Sequence, residues 1–415
     1  MLKFFSVKSA ESMSVSKNII WCKRISVLLC ASYCFIEALN STQLNELISE
    51  NILSLVKYAV AIISVGFLIV SQREKIFERH PCVVFFALVV AAGTLICART
   101  TQITMLVVYI LLLRDYNFKE ILYVLYLTLW MLFIVTVFLY VINIYPHDVY
   151  MRGEEFRYSL GFGTPTLGQS VILFLFLSKF YLKNNKLSYF SIAFYTVLSF
   201  VFYIFTSGRA AFFLFVFALI FVVAYKIFSR KYSQLVTKIL KNHFFKILIT
   251  SLPFIFLFLS LFFTHLYAIG TDIGQKLNSI LSTRLVLQLN AFKERPITLF
   301  GQEIQWVNSH GIYIGIDNGI LYNLFNNGLV VFACVLIAYS FMLNRAVTVK
   351  RDLCLIIVIF VILMDSLAEP YIIDFKYNYF IFYIGNLFFN KQQIIPLDTS
   401  KFRRDLISET GVRHE

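Results

Sequence analysis

About twelve long apolar runs follow one another along this chain, separated by short polar or basic links. A helix needs about 20 apolar residues to cross the ~30 Å of hydrocarbon in a bilayer. The cores of the runs fall at 25–39, 52–70, 82–97, 101–113, 121–144, 166–182, 187–206, 211–228, 247–267, 320–343, 353–367 and 371–389. The first, third, fourth and eleventh are short, so eleven to thirteen crossings fit the pattern. With 59% hydrophobic residues, 14% charged residues and 45 phenylalanines, no soluble core could bury this chain. The expected fold is an all-α polytopic integral membrane protein of about 12 transmembrane helices. Residues 1–390 form the bundle, and 391–415 form a short cytoplasmic tail.

The basic residues give the orientation. Cytoplasmic links carry an excess of Lys and Arg, and here the N-terminal segment has Lys3, Lys8, Lys17, Lys23 and Arg24. Every second link repeats the pattern, through Arg73, Lys75 and Arg79 to Arg345, Lys350 and Arg351. The links 41–51 and 366–370 contain neither Lys nor Arg. Both termini are thus expected inside, and the long link 268–318, between the ninth and tenth runs, outside. The net charge of +14 then reads as a topogenic signal. It is not a nucleic-acid footprint, because the cations are scattered and not gathered on one face. The first run lacks a small-residue cleavage site and is expected to be retained. The seven cysteines lie in or beside apolar runs and none in the long outer link, which argues against disulfides there. No Cys/His spacing fits a metal site and no Gly-rich phosphate loop occurs, so no cofactor is implied.

Against this background, charged residues in the outer links are the informative minority. Ser207-Gly208-Arg209 is a tight turn between two apolar runs, where Arg209 is either a ligand or an interfacial snorkeller. In 271–295, Asp272 with Gln275 suggests a capping box and Pro296 a stop. Leu277, Leu281, Leu285, Leu289 and Phe292 recur between them at helical spacing, predicting an amphipathic helix on the membrane surface or over the bundle. Arg284, Gln288 and Arg295 share its inward side, and an inward arginine needs a carboxylate or a ligand anion. Farther on stand Glu303, Trp306, His310, Tyr313 and Asp317. Asp317 is either a helix N-cap or a reactive carboxylate, and His310 either a base or a solvated histidine. The link 145–168 adds Arg152, Glu154, Glu155 and Arg157, and a short link adds Arg99. Glu37 and Lys57, near the outer ends of their runs, are placed to pair. Arginine forks match phosphate oxygens in two-point contacts, and fixed cations in a low-dielectric site stabilise a departing pyrophosphate. This points to glycosyl transfer from a lipid pyrophosphate at the outer face.

Three motifs resemble the O-antigen and capsule repeat-unit polymerases, which are related to the O-antigen ligases. They are Thr206-Ser207-Gly208-Arg209; Ser282-Thr283-Arg284 with Ala291-Phe292, Pro296 and Leu299-Phe300-Gly301; and Asp317-Asn318 followed ten residues later by Gly328. The ligases have histidine where this chain has Asp317, a departure that favours polymerase. The resemblance implies a GT-C-like membrane glycosyltransferase in the bacterial cytoplasmic membrane. Its substrates would be undecaprenyl-pyrophosphate-linked oligosaccharides, with a chain-length regulator and a flippase among its partners. Displacement would be direct and metal-independent, with inversion. Carried onto this sequence, Arg209 and Arg284 would hold the pyrophosphate, helped by Arg157 or Arg99. Asp317 or His310 would activate the acceptor hydroxyl, and Trp306 and Tyr313 would stack on sugars. A ligase is the rival within the class. A flippase or transporter is the rival outside it, although the sequence offers neither related halves nor Gly- or Pro-broken helices in matching positions.

Overall fold

The computed structural model describes residues 10–72, 80–145, 149–152, 155–231, 240–281, 283–303, 315–350 and 352–389. The fold is almost wholly helical. In chain order come α1 (Ala10–Leu39), α2 (Glu50–Gln72), α3 (Pro81–Cys97), α4 (Gln102–Leu113) and α5 (Phe118–Val141). After a hairpin, β1 (Val149–Arg152) and β2 (Glu155–Tyr158), follow α6 (Leu167–Lys183), α7 (Tyr189–Thr206) and α8 (Arg209–Lys231). The second half holds α9 (His243–Thr250), α10 (Leu252–Ala268), α11 (Asp272–Ile280), α12 (Arg284–Glu294) and the short α13 (Gly319–Tyr322). It closes with α14 (Gly328–Arg345), α15 (Leu353–Asp365) and α16 (Tyr383–Phe389). Polar caps set several starts: Asn117, Ser188 and Asn242 each accept a backbone N–H from the first turn they precede.

Among the described residues, five helices are long and apolar enough to cross a membrane: Asn51–Ser71, Phe118–Val141, Tyr189–Thr206, Arg209–Phe228 and Gly319–Val349. A sixth arises if α9 and α10, bent by 55° at their junction, count as one. Most of these surround a shorter core. In α6 every residue from Leu167 to Ser178 is buried, and α15 is buried on nearly all sides. A helix apolar all round belongs inside protein. These two pack against each other and against α8, with α5 and α7 outside α6 and with α10 and α14 outside α15. The 13 residues of α15 rise only about 20 Å, so the chain beyond it lies inside the bundle without helix.

Three departures from the sequence reading matter. The run 371–389 is not one helix. It stays irregular to Asn378 and then forms a 3-10 turn (Tyr379–Phe382) leading into α16. Asn378 Nδ2 donates to the carbonyls of Tyr371 and Ile372, at 3.3 and 2.7 Å, and the Tyr339 hydroxyl also donates to Ile372, at 2.6 Å. Side chains thus satisfy carbonyls that a helix would have satisfied, which buried non-helical backbone requires. Second, the ninth run breaks ahead of Pro253, which has no N–H to give the preceding turn. Third, the helical link expected over 271–295 is two helices, and the link 145–168 contains the hairpin, so the chain is not purely α.

Candidate functional site

Arg284 is the first residue of α12, and a sharp corner aims it inward. Thr283 sits in the left-handed region (φ 68°), and Asn278 Oδ1 accepts from Leu285 N at 3.1 Å, closing the corner between α11 and α12. Thr271, not Asp272, caps α11 by accepting from Gly274 N. The buried face of α12 carries Arg284, Leu285, Gln288 and Ala291, with buried Arg295 beyond its end, while Phe292 points out. Gln288 accepts from the Thr264 hydroxyl at 2.6 Å, and Arg295 donates to Asn326 at 2.7 Å. The inward stripe thus mixes polar Arg284, Gln288 and Arg295 with apolar Leu285 and Ala291.

The Arg284 guanidinium meets two carboxylates. Its Nη2 donates to Glu369 Oε1 at 2.7 Å, and its Nε lies 3.3 Å from Asp317 Oδ2, a charge contact without an aligned hydrogen bond. Burial works against the charge on Arg284, but Glu369, Asp317 and Asp365 outweigh it and hold the guanidinium above its ordinary value. Glu369 is fully enclosed. Burial pushes its carboxyl up, Arg284 pulls it down, Asp317 raises it and Arg157 lowers it, leaving it pushed up to about 7. Asp365, at the end of α15, is also buried, and its Oδ1 has no hydrogen-bond partner among the described residues. The Glu369 backbone N–H donates to the Asp365 carbonyl at 2.8 Å, so the two acids belong to one turn.

The N-cap reading of Asp317 is corrected. Asn318 is the cap: its Oδ1 accepts from Ile320 N and Leu321 N at 3.1 and 3.0 Å, and its Nδ2 donates to Ser260 Oγ at 3.0 Å. That releases Asp317 to face Arg284. Gly319 N donates to Ser366 O at 2.7 Å, and a Cβ on Gly319 would sit 2.7 Å from the Glu369 carbonyl. Only glycine lets α13 start this close to the segment that carries Glu369.

The remaining candidates divide. Arg157, on β2, donates from Nε to the Thr206 carbonyl at 2.9 Å, which joins the hairpin to the 206–209 turn, and its charge reaches Glu369. Arg209 begins α8 with an exposed side chain. Arg99 stands apart in an exposed ion pair with Glu303 at 3.2 Å. Trp306, His310 and Tyr313 lie outside the described residues. Gly301 and Gly328, both at positive φ, meet backbone to backbone, where a Cβ on Gly328 would fall 2.3 Å from Gly301 N. Leu329 N and Val330 N donate to Thr298 O and Leu299 O, so two sequence motifs become one structural joint. It continues a π-helical turn over Asn323–Asn327 in which Asn323 donates to Gly319 O at 2.6 Å. Among the described residues no three His, Cys, Asp or Glu side chains come together as metal ligands.

Sequence reasoning missed Glu369 and Asp365. Both sit at the end of an apolar run in a link read as a short outer loop, and only their charge in so apolar a setting could have flagged them. No family model, curated protein or solved structure matches this chain. What the arrangement offers chemically is a buried carboxyl pushed up to about 7, oriented by the Arg284 guanidinium and within the field of Arg157.

Proposed function

We propose that this chain joins lipid-pyrophosphate-linked oligosaccharide repeat units, as a membrane glycosyltransferase that polymerises a bacterial surface polysaccharide. The observation that carries the reading is Glu369: a fully buried carboxyl held at 2.7 Å by Arg284, pushed up to about 7, and within the field of Arg157. A general base works best with a pKa near the working pH, and strongly perturbed carboxyls gather at functional sites. In this reading the acceptor hydroxyl gives its proton to Glu369 as its oxygen attacks the anomeric carbon of the donor. The bond from that carbon to the pyrophosphate oxygen breaks, and the lipid pyrophosphate leaves with the electron pair. Arg157 and Arg209, at the 206–209 turn, receive the growing negative charge. Arg284 is already engaged by two carboxylates, so its role moves from pyrophosphate ligand to positioning residue for Glu369 and Asp317.

The same reading puts both termini inside and 268–318 outside. Cysteine labelling checks it: the exposed positions Lys276, Lys293 and Glu294 should react as cysteines with an impermeant reagent from outside, and reaction only from the cytosolic side ends the proposal. For the chemistry, a strain lacking the gene should retain only single lipid-linked units. The wild-type gene should restore long chains and Glu369→Gln should not, at equal protein level. Long polysaccharide in the deletion strain sinks the reading.

A transporter of the lipid-linked unit is the second reading, favoured by the 55° break between α9 and α10 and the π-helical turn in Asn323–Asn327. Interrupted helices at membrane depth are a feature of transporters. The two differ in product: a polymerase releases lipid pyrophosphate as chains grow, whereas a transporter moves the unit without making a bond.

A further inference from the structure

The hairpin β1–β2 has two unlike faces. Its register pairs Val149 with Tyr158, Tyr150 with Arg157, and Met151 with Phe156. Successive side chains of a strand point to opposite faces, so Val149, Met151, Phe156 and Tyr158 share one face and Tyr150 and Arg157 the other. The second face is anchored: Arg157 Nε donates to Thr206 O at 2.9 Å, and the Tyr150 hydroxyl donates to Gly163 O at 3.0 Å. The first face is largely open at its centre, although Tyr158 lies near Tyr140. Met151 is 67% and Phe156 62% exposed, and Val149 and Tyr158 are exposed as well. Four apolar or aromatic side chains gathered on one exposed face of a small hairpin mark a surface that water does not cover by default.

What covers it follows from its neighbours. The chain enters the hairpin from the end of α5, where Phe138, Val141, Ile142 and Ile144 are exposed. The hairpin is tied to the end of α7, where Ile204 and Phe205 are exposed. Both α5 and α7 are among the five helices long and apolar enough to cross a membrane. The exposed apolar flanks of such helices face lipid, so the hairpin's apolar face is bracketed on both sides by lipid-facing surface. Tyrosine belongs at the boundary between hydrocarbon and headgroups, and the hairpin carries Tyr150 and Tyr158.

We propose that the β1–β2 hairpin docks into the headgroup layer of the adjoining membrane leaflet. Met151, Phe156 and Val149 are immersed, and Arg157 is held inward on the opposite face. The bilayer becomes part of the support that fixes Arg157 against Thr206 and within the field of Glu369. A loop lifted into water would carry that arginine with it.

Spin-labelled lipid tests this in the full chain. The four cysteines that are not buried, Cys22, Cys82, Cys97 and Cys334, are replaced by serine. Phe156→Cys or, separately, Met151→Cys then takes an environment-sensitive nitrobenzoxadiazole label in phosphatidylcholine vesicles. Both side chains are exposed, so neither substitution removes core packing. The expected result at both positions is loss of emission with lipid carrying a nitroxide near the headgroup, less loss with the nitroxide deep in the chain, and little with aqueous iodide. Strong iodide quenching without lipid quenching puts the hairpin in water and overturns the proposal. Shielding from both quenchers means that a protein surface covers the face, and overturns it too. The measurement reads lipid contact and stands whatever reaction the chain performs.

Discussion

Two clusters of charge, one half-buried and one built on buried Arg284, Glu369 and Asp365, are put together differently. In the first, Glu37 pairs with Lys57 at 3.3 Å and Asp374 with Lys376 at 3.3 Å. Acids and bases balance, each cation has its carboxylate, and the cluster clamps α1, α2 and the irregular segment after α15. In the second, one guanidinium, Arg284, faces Asp317 and Glu369 directly and Asp365 within its field. Three carboxyls outnumber it. A balanced buried pair repays part of its desolvation by mutual attraction, whereas a surplus carboxyl must stay near its protonation point or recruit a further cation. Burial first, and then the charge of Asp317, push Glu369 up to about 7 against the pull of Arg284 and Arg157. The first cluster is paired off, whereas the second keeps a carboxyl that the proposed reaction would use to take a proton.

Breaking the unbalanced cluster should have the largest effect. Glu369→Gln keeps an acceptor for Arg284 but cannot take a proton. Polymer-forming activity should fall by about 10²–10⁴-fold, the usual worth of a general base, with little change in thermal unfolding. Arg284→Ala should instead destabilise the protein, by about 3–5 kcal/mol, the cost of leaving a buried pair half broken, read by unfolding in detergent. Arg284→Lys should insert normally yet fail to restore long chains, because an ammonium cannot span Glu369 and Asp317 as two guanidinium nitrogens do.

The pH dependence sharpens the contrast. If Glu369 is the base, activity should rise with pH through about 7. Asp317 raises the Glu369 value, so Asp317→Asn should move the acid limb of the profile to lower pH. An unmoved limb would detach Asp317 from Glu369. Because the folded-state value lies above the ordinary carboxylate range, the stabilisation due to protonated Glu369 is full below that range. It is lost as pH rises through about 7. Glu369→Gln should flatten that part of the stability curve. Smallest of all, neutralising the balanced pair with Glu37→Gln and Lys57→Met together should cost about 1 kcal/mol or less and leave chain length unchanged. A collapse of chain length there would erase the distinction between the clusters.

Much of the helical architecture was legible because hydrophobic run length is a local property. Runs 52–70, 121–144, 187–206 and 211–228 each fall within or largely overlap a helix long enough to cross a membrane, and the expected Glu37–Lys57 contact forms. Arg284 could be singled out because its spacing from leucine neighbours put it on an inward face. Glu369 could not. Its importance lies in what folds around it, and Tyr339 and Asn378, which hold its segment in place, read in the sequence as ordinary residues of apolar runs.

The order of residues by itself settled that this is a helical chain with membrane-length apolar segments, because burying side chains from water depends on composition and period alone. Which acids meet Arg284, which residue caps α13 and which run fails to become a helix were decided only by tertiary structure. Those outcomes turn on distances of 3 Å between groups up to 85 positions apart, and no local pattern encodes them.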